Sequence, residues 1–154
     1  DMKFRQQERY GISLRWLIRE NSQSFLVKIR LEMFSSSDCI VPVPLHEQRL
    51  EERGYNQAEC IFKEWAVERG VTWMPMALER MRYTVPQWEL KLSERKKNMK
   101  DAFVVPCPEQ VKNKNIILVD DIFTTGITLD ECAKVLKKAG ANKVHALVVA
   151  SGAR

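Results

Sequence analysis

Residues 116–128 read Ile-Ile-Leu-Val-Asp-Asp-Ile-Phe-Thr-Thr-Gly-Ile-Thr, and no other stretch limits the possible folds as tightly. Ile116 to Val119 are four consecutive aliphatic residues, the pattern of a strand buried on both faces, as in a parallel sheet. The run stops at two carboxylates, Asp120 and Asp121. It then passes through Thr124, Thr125 and Gly126 into a helix pattern that opens at Thr128. Leu129, Cys132, Ala133, Leu136 and Ala139 form an apolar stripe at helical spacing. Lys137 and Lys138 complement the helix dipole in the last turn, and Gly140 supplies the stop. Val144 to Ala150 is a second continuous aliphatic strand. Residues 116–150 therefore predict a βαβ unit with a right-handed crossover. Ligands of such sheets bind at the carboxyl ends of the strands, where Asp120 to Thr128 lies.

The chemistry of this corner is specific. An apolar strand leading through a Gly/Thr loop into a helix is an anion cradle, because backbone N–H groups and the helix dipole both favour negative charge there. Gly126 lets the backbone approach a phosphate where a Cβ would interfere, and the threonine hydroxyls can donate to phosphate oxygens. Two adjacent acids beside such a nest repel an anion unless they face hydroxyl groups or a metal. A sugar phosphate reconciles the two, with its phosphate in the nest and its ribose hydroxyls on the carboxylates.

The rest of the chain is less explicit. Residues 1–35 predict a helical or irregular segment packed on the core, from Ile12, Trp16 and Leu17 and then Phe25, Val27, Ile29 and Leu31. Ser35 to Asp38 is a polar break. Cys39 to Pro44 reads as a short buried strand stopped by prolines. Basic and turn residues follow, from Arg49 through Arg53-Gly54-Tyr55-Asn56-Gln57. A helix is then predicted from about Gln57 to Arg69, with Ala58, Ile61, Phe62, Trp65 and Ala66 facing the core and Gly70 as its stop. Residues 71–78 are apolar and interrupted by Pro75. The stretch 79–103 is strongly charged, with a helix predicted from Trp88 to Lys100. It reads either as a mobile arm over a site or as a solvated helical face. Phe103 to Val105 predicts a brief strand. His46 reads as an exposed loop residue and His145 as structural.

At 154 residues, 45% of them hydrophobic and 29% charged, the chain has the length and composition of one globular domain. No apolar run approaches the roughly 18 residues that span a bilayer. Cys39, Cys60, Cys107 and Cys132 are scattered without metal-binding spacing, and they read as reduced thiols of a cytoplasmic protein. The chain opens on Asp1 rather than Met, so the natural start is expected upstream. The net charge of +5 suits a polyanionic small substrate or a nucleic acid, and composition does not choose between them.

The aliphatic strand, acid pair and Thr-Thr-Gly-x-Thr loop resemble the signature of the type I phosphoribosyltransferases. In that family the signature binds 5-phosphoribosyl 1-pyrophosphate (PRPP). The resemblance narrows to the ComF family of competence proteins through Val41-Pro42-Val43-Pro44-Leu45, Arg49-Leu50, Arg53-Gly54-Tyr55-Asn56-Gln57, and Arg82-x-Thr84 followed by Gln87, Arg95, Asn98 and Phe103. It covers roughly residues 36–150. The implied fold is α/β, a parallel sheet flanked by helices with a flexible lid segment, over a phosphoribosyltransferase domain at 36–154. Members of the family usually carry an N-terminal four-cysteine zinc module; it is not within these residues, so either it lies upstream of them or this member does without it.

The resemblance implies displacement of pyrophosphate from C1 of PRPP by an acceptor it does not identify. Asp120 and Asp121 are expected at the ribose hydroxyls, one of them reaching Mg²⁺ through water. Thr124, Thr125, Gly126, Ile127 (backbone only) and Thr128 would cradle the 5′-phosphate. Leu45, Arg49, Arg53 and Asn56 would lie on the pyrophosphate side, and Arg82, Thr84, Gln87 and Arg95 in the lid. Three function classes fit: a catalytic phosphoribosyltransferase, a PRPP-binding regulatory module without turnover, and an accessory protein handling single-stranded DNA beside a competence helicase and other DNA-uptake proteins. The last would bring a cytoplasmic protein to the inner face of the membrane. The sequence leaves the oligomeric state open.

Overall fold

The computed structural model describes residues 36–84 and 90–151. Its centre is a four-stranded, all-parallel sheet built from β1 (Cys39–Pro42), β2 (Thr72–Trp73), β5 (Asn115–Phe123) and β6 (Lys143–Ser151) in the order β2-β1-β5-β6. A separate antiparallel pair joins β3 (Glu79–Arg80) to β4 (Phe103–Val104). The helices are α1 (Glu47–Arg53), α2 (Gln57–Glu68), α3 (Leu92–Met99), α4 (Pro108–Val111) and α5 (Ile127–Lys138), with a 3₁₀ turn at Pro75–Ala77.

Side chains alternate across a strand, and here the alternation sorts the sheet into two cores. Cys39, Val41, Ile116 and Leu118 face Leu129, Cys132 and Leu136 of α5, together with Met99 and Phe103. Ile40, Ile117 and Val119 face Ala58, Ile61, Phe62, Trp65 and Ala66 of α2. Each fully buried Ile or Leu contributes about 1.5–3 kcal/mol, which offsets the backbone entropy lost by ordering the strands. Both faces of β1 and of Ile116 to Val119 in β5 are covered, so these stretches are continuously apolar rather than alternating.

The predicted βαβ unit is present, and the buried face of α2 consists of the five residues its periodicity selects. Two features depart from the sequence reading. First, β5 does not end at Val119 but runs through both acids to Phe123, held there by β6 through pairs such as Asp120 with Val148 and Phe123 with Ser151. Second, the stretch read as basic turn residues contains α1, which buries none of its own residues. End effects hold it: His46 accepts from Gln48 N–H at 3.3 Å, and Gly54, at φ 79°, returns its N–H to Leu50. The brief strand predicted at Phe103 to Val105 is present as β4, and it pairs with β3. The charged segment does hold a helix, shorter than predicted, at Leu92–Met99. The expectation for residues 1–35 lies outside the described residues. Among the described residues, no helix is long and apolar enough to cross a membrane.

Candidate functional site

The site is created by unequal strand lengths. Pro42, the last residue of β1, pairs with Val119, and Val43 N–H donates to Val119 O at 2.9 Å. Beyond that bond β5 continues with β6 alone, so Asp120 to Phe123 form a ledge at the carboxyl end of the sheet. The alternation that sorts the core also separates the acids. Asp120 continues the row of Ile116 and Leu118 toward α5, whereas Asp121 continues the row of Ile117 and Val119 toward α2. The two positions thus belong to opposite rows, yet the carboxylates reach one another at the strand end and interact through a side-chain hydrogen bond.

Asp120 is half-buried, and its Oδ1 accepts the Asp121 N–H at 2.9 Å. Burial, followed by the charge of Asp121, pushes its carboxyl up to about 7, while that N–H bond and the Arg80 guanidinium pull the other way. Asp120 is thus poised between its neutral and charged forms near neutral pH. The buried Cys132 thiol, on α5, is pushed well above its ordinary range by burial and then by the Asp120 charge.

Arg80 is the residue that sequence reasoning passed over. Its guanidinium lies 5.5 Å from the Phe103 ring, and its Nη2 donates to Thr84 Oγ1 and approaches Met99 Sδ at 3.6 Å. Its Nε–H is buried and finds no partner among the described residues. Burial lowers its pKa, and the neighbouring Arg49 lowers it further, with Asp120 opposing. In the sequence it is one of many cations in a charged stretch. No short-range pattern marks it: Leu78 and Thr84 are 1% and 2% exposed, but Arg82, of the same parity, is exposed and Ala77, of the other, is buried.

The predicted lid and pyrophosphate-side residues divide by use. Arg49 Nη2 reaches Thr84 O at 3.4 Å, and the guanidinium sits 5.7 Å from the Tyr83 ring, which meets His46 edge-on. Arg82 donates to Asn98 O at 2.9 Å and Lys100 O at 2.7 Å, at the carboxyl end of α3. Thr84 is therefore a buried anchor and Arg82 a tether at the base of the segment. Asn56 is committed to structure, with Nδ2 donating to Val43 O at 2.9 Å and Oδ1 accepting from Ala58 N–H at 3.0 Å at the start of α2. Arg53 is exposed in the last turn of α1, and Leu45 lines a cavity. Gln87 and the Arg95 side chain lie outside the described residues.

The Thr/Gly loop has the form the sequence suggests. Gly126, at φ 75°, opens α5, and no side chain caps the helix amides. A Cβ on Gly126 would meet the Phe123 ring at 2.8 Å, so glycine is required by backbone conformation and by packing, before any ligand is considered. Thr124 is exposed, and Thr125, Ile127 and Thr128 are half-buried around the turn. Next to the ledge, at the end of β1, is a cavity of about 520 Å³ to which Pro42, Leu45, Asn56 and Arg80 contribute.

The phosphoribosyl transferase domain family model matches residues 80–154. Competence protein F of Haemophilus influenzae is 31% identical over 117 residues, covering 75% of this chain and 51% of that protein. DNA utilization protein YhgH of Salmonella typhimurium is 35% identical over 123 residues, covering 80% of this chain and 53% of that protein. The chain spans about half the length of these curated relatives. A solved structure, described as the allosteric regulatory enzyme of purine biosynthesis, superposes on 88% of this chain and 24% of its own, with a TM-score of 0.51 at 19% identity. That likeness concerns the fold alone, a type I phosphoribosyltransferase fold.

Proposed function

The chain is a ComF-family, phosphoribosyltransferase-like protein, and on that premise we propose that it binds PRPP and transfers its phosphoribosyl group in the service of DNA uptake. One observation carries the reading: the acid ledge of β5 turns through left-handed Gly126 directly into the uncapped start of α5. Asp120 and Asp121, adjacent on the ledge, would accept from the ribose hydroxyls. Thr124, Thr125 and Thr128, with the backbone of Gly126 and Ile127, would hold the 5′-phosphate. Arg49, with its bidentate fork, would serve the pyrophosphate side.

In the proposed reaction a ring nitrogen of the acceptor bonds to C1. The bond from C1 to the pyrophosphate oxygen breaks with its electron pair leaving on pyrophosphate, and the ring nitrogen's proton passes to solvent. Positive charge builds on the sugar as the bond loosens. A fixed carboxylate beside C1 stabilises that charge without reorganising. Among the described residues no group of three or more His, Cys, Asp or Glu side chains is gathered for a metal. The residues therefore suit Mg²⁺ carried on PRPP oxygens, where it would neutralise leaving-group charge, with the protein's share limited to Asp120 or Asp121 through water.

Calorimetric titration of PRPP with Mg²⁺ tests the site, on the wild type and on the Asp120→Asn, Asp121→Asn double variant. Binding by the wild type and its loss in a folded double variant are expected, and equal affinity in the two overturns the assignment. A second reading, direct handling of single-stranded DNA beside a competence helicase, draws on exposed Arg82, Lys91, Lys97 and Lys100 along one segment. It requires affinity for an oligonucleotide that falls steeply with salt.

A further inference from the structure

We propose that the cavity at the end of β1 is the acceptor pocket, and that it takes an uncharged, planar nitrogen heterocycle bearing N–H donors and a hydrogen-bond acceptor, while refusing carboxylated rings. The proposal rests on the PRPP reading above and supplies the substrate class that reading leaves open. Its position fits an acceptor. Pro42 on its wall is the register partner of Val119, one residue before Asp120, and Arg80 on its wall acts electrostatically on Asp120. The volume of about 520 Å³ lies within the range of small-molecule sites.

The lining sets the ligand class. Met76 and Met81 stand 69% and 62% exposed beside the cavity, large polarisable side chains left uncovered where a flat ring could rest. Glu47, Glu59 and Glu79 also line it, and among the described residues none has a hydrogen-bond or ion-pair partner. Against these three carboxylates stands one guanidinium, that of Arg80, whose buried Nε–H lacks an acceptor among the described residues. Carboxylates in such excess repel phosphates and ring carboxylates, and they welcome N–H donors. Arg80 supplies the complementary donor for a carbonyl or ring nitrogen. None of Thr124 to Thr128 lines the cavity, so it does not duplicate the phosphate-binding loop, and Leu45 and Asn56, expected on the pyrophosphate side, are here assigned to the acceptor wall.

The test is calorimetric titration of the full chain, with and without PRPP and Mg²⁺, against adenine, hypoxanthine and nicotinamide, and against orotate, nicotinate and quinolinate. At least one ring of the first group is expected to bind, and none of the second at the same concentrations. Glu59→Gln is expected to weaken the bound ring by about tenfold or more while PRPP affinity stays within about twofold. Met76→Ala, at an exposed position that cannot unsettle the fold, should weaken the ring several-fold as well. Equal or tighter binding of the carboxylated rings overturns the proposal, as does unchanged ring affinity in both variants. PRPP binding without binding of any ring overturns the cavity assignment alone. Ring binding without PRPP binding overturns the PRPP reading and upholds the ligand class of the cavity, and loss of both overturns both.

Discussion

Replacing Asp120 by asparagine should make the unliganded protein more stable while destroying its site. In the folded chain the Asp120 carboxyl has moved from its ordinary 3.8 to about 7, chiefly because burial disfavours its charge. The folded state therefore holds this proton more tightly than the unfolded chain does. The stability so contributed is complete below about pH 4, declines as the pH rises, and is gone above about pH 7. At about 1.4 kcal/mol per tenfold, the full displacement corresponds to about 4 kcal/mol, an upper bound because Asp120 titrates together with Asp121. The amide of Asn has the shape of the carboxyl, carries no charge, and keeps an oxygen for the Asp121 N–H bond. Its advantage over the wild type should be close to zero at pH 4, grow through pH 5 and 6, and level off at about 2–4 kcal/mol above pH 7. For a chain of this size that is a rise of roughly 5–10 °C in melting temperature at pH 8. Urea unfolding of both proteins from pH 4 to pH 8.5 measures the curve directly. A variant less stable than the wild type at pH 8, or an advantage independent of pH, would refute the argument that Asp120 is held ionised at the expense of the fold.

Two further outcomes test the frame around the site. Gly126→Val places a branched side chain at φ 75° and against the Phe123 ring, so it should lower stability by more than the roughly 1–2 kcal/mol of left-handed strain alone, read by thermal melting, and abolish PRPP binding. Thr84→Val removes the hydroxyl that accepts from Arg80 and should lose about 1.5–3 kcal/mol in urea unfolding, whereas a residue that merely swung in a lid would show almost none.

What could be read from the sequence follows from where the information was local. The run Ile116 to Val119, the loop Thr124 to Gly126 and the stripe Leu129, Cys132, Leu136 each declare their structure within a few residues, and all three are found as read. The helix α2 was equally legible, down to its buried face. The helix α1 was not, because Leu50, its one large aliphatic residue, is 43% exposed and no apolar period marks it. The continuation of β5 past the acids was hidden for another reason. Carboxylates break an apolar run, but the strand persists where β6 supplies the pairing. Arg80 was the costliest omission. Its burial comes from Phe103 and Met99, some twenty residues away, and nothing near it in the chain announces that contact. The contact between the Asp120 and Asp121 carboxylates, which raises the Asp120 pKa, likewise follows only once their setting at a strand end is known.

The strand order β2-β1-β5-β6 carries a consequence for how the chain is made. The neighbour that β1 needs on its inner side is β5, and even the bond that starts that junction, from Asn115 N–H to Asp38, spans 77 residues of chain. As the protein leaves the ribosome, Cys39 to Pro42 emerge early, wholly apolar and without the partner that will cover them. The span from β5 through α5 to β6 can close on itself within about thirty-five residues, as can β1 through α2 to β2, and both should order before the longer β1-to-β5 junction, since short loops form before long ones. Cys39 to Pro42 thus meet β2 early and β5 late, and the step at which β5 outruns β1 exists only once those two strands have paired.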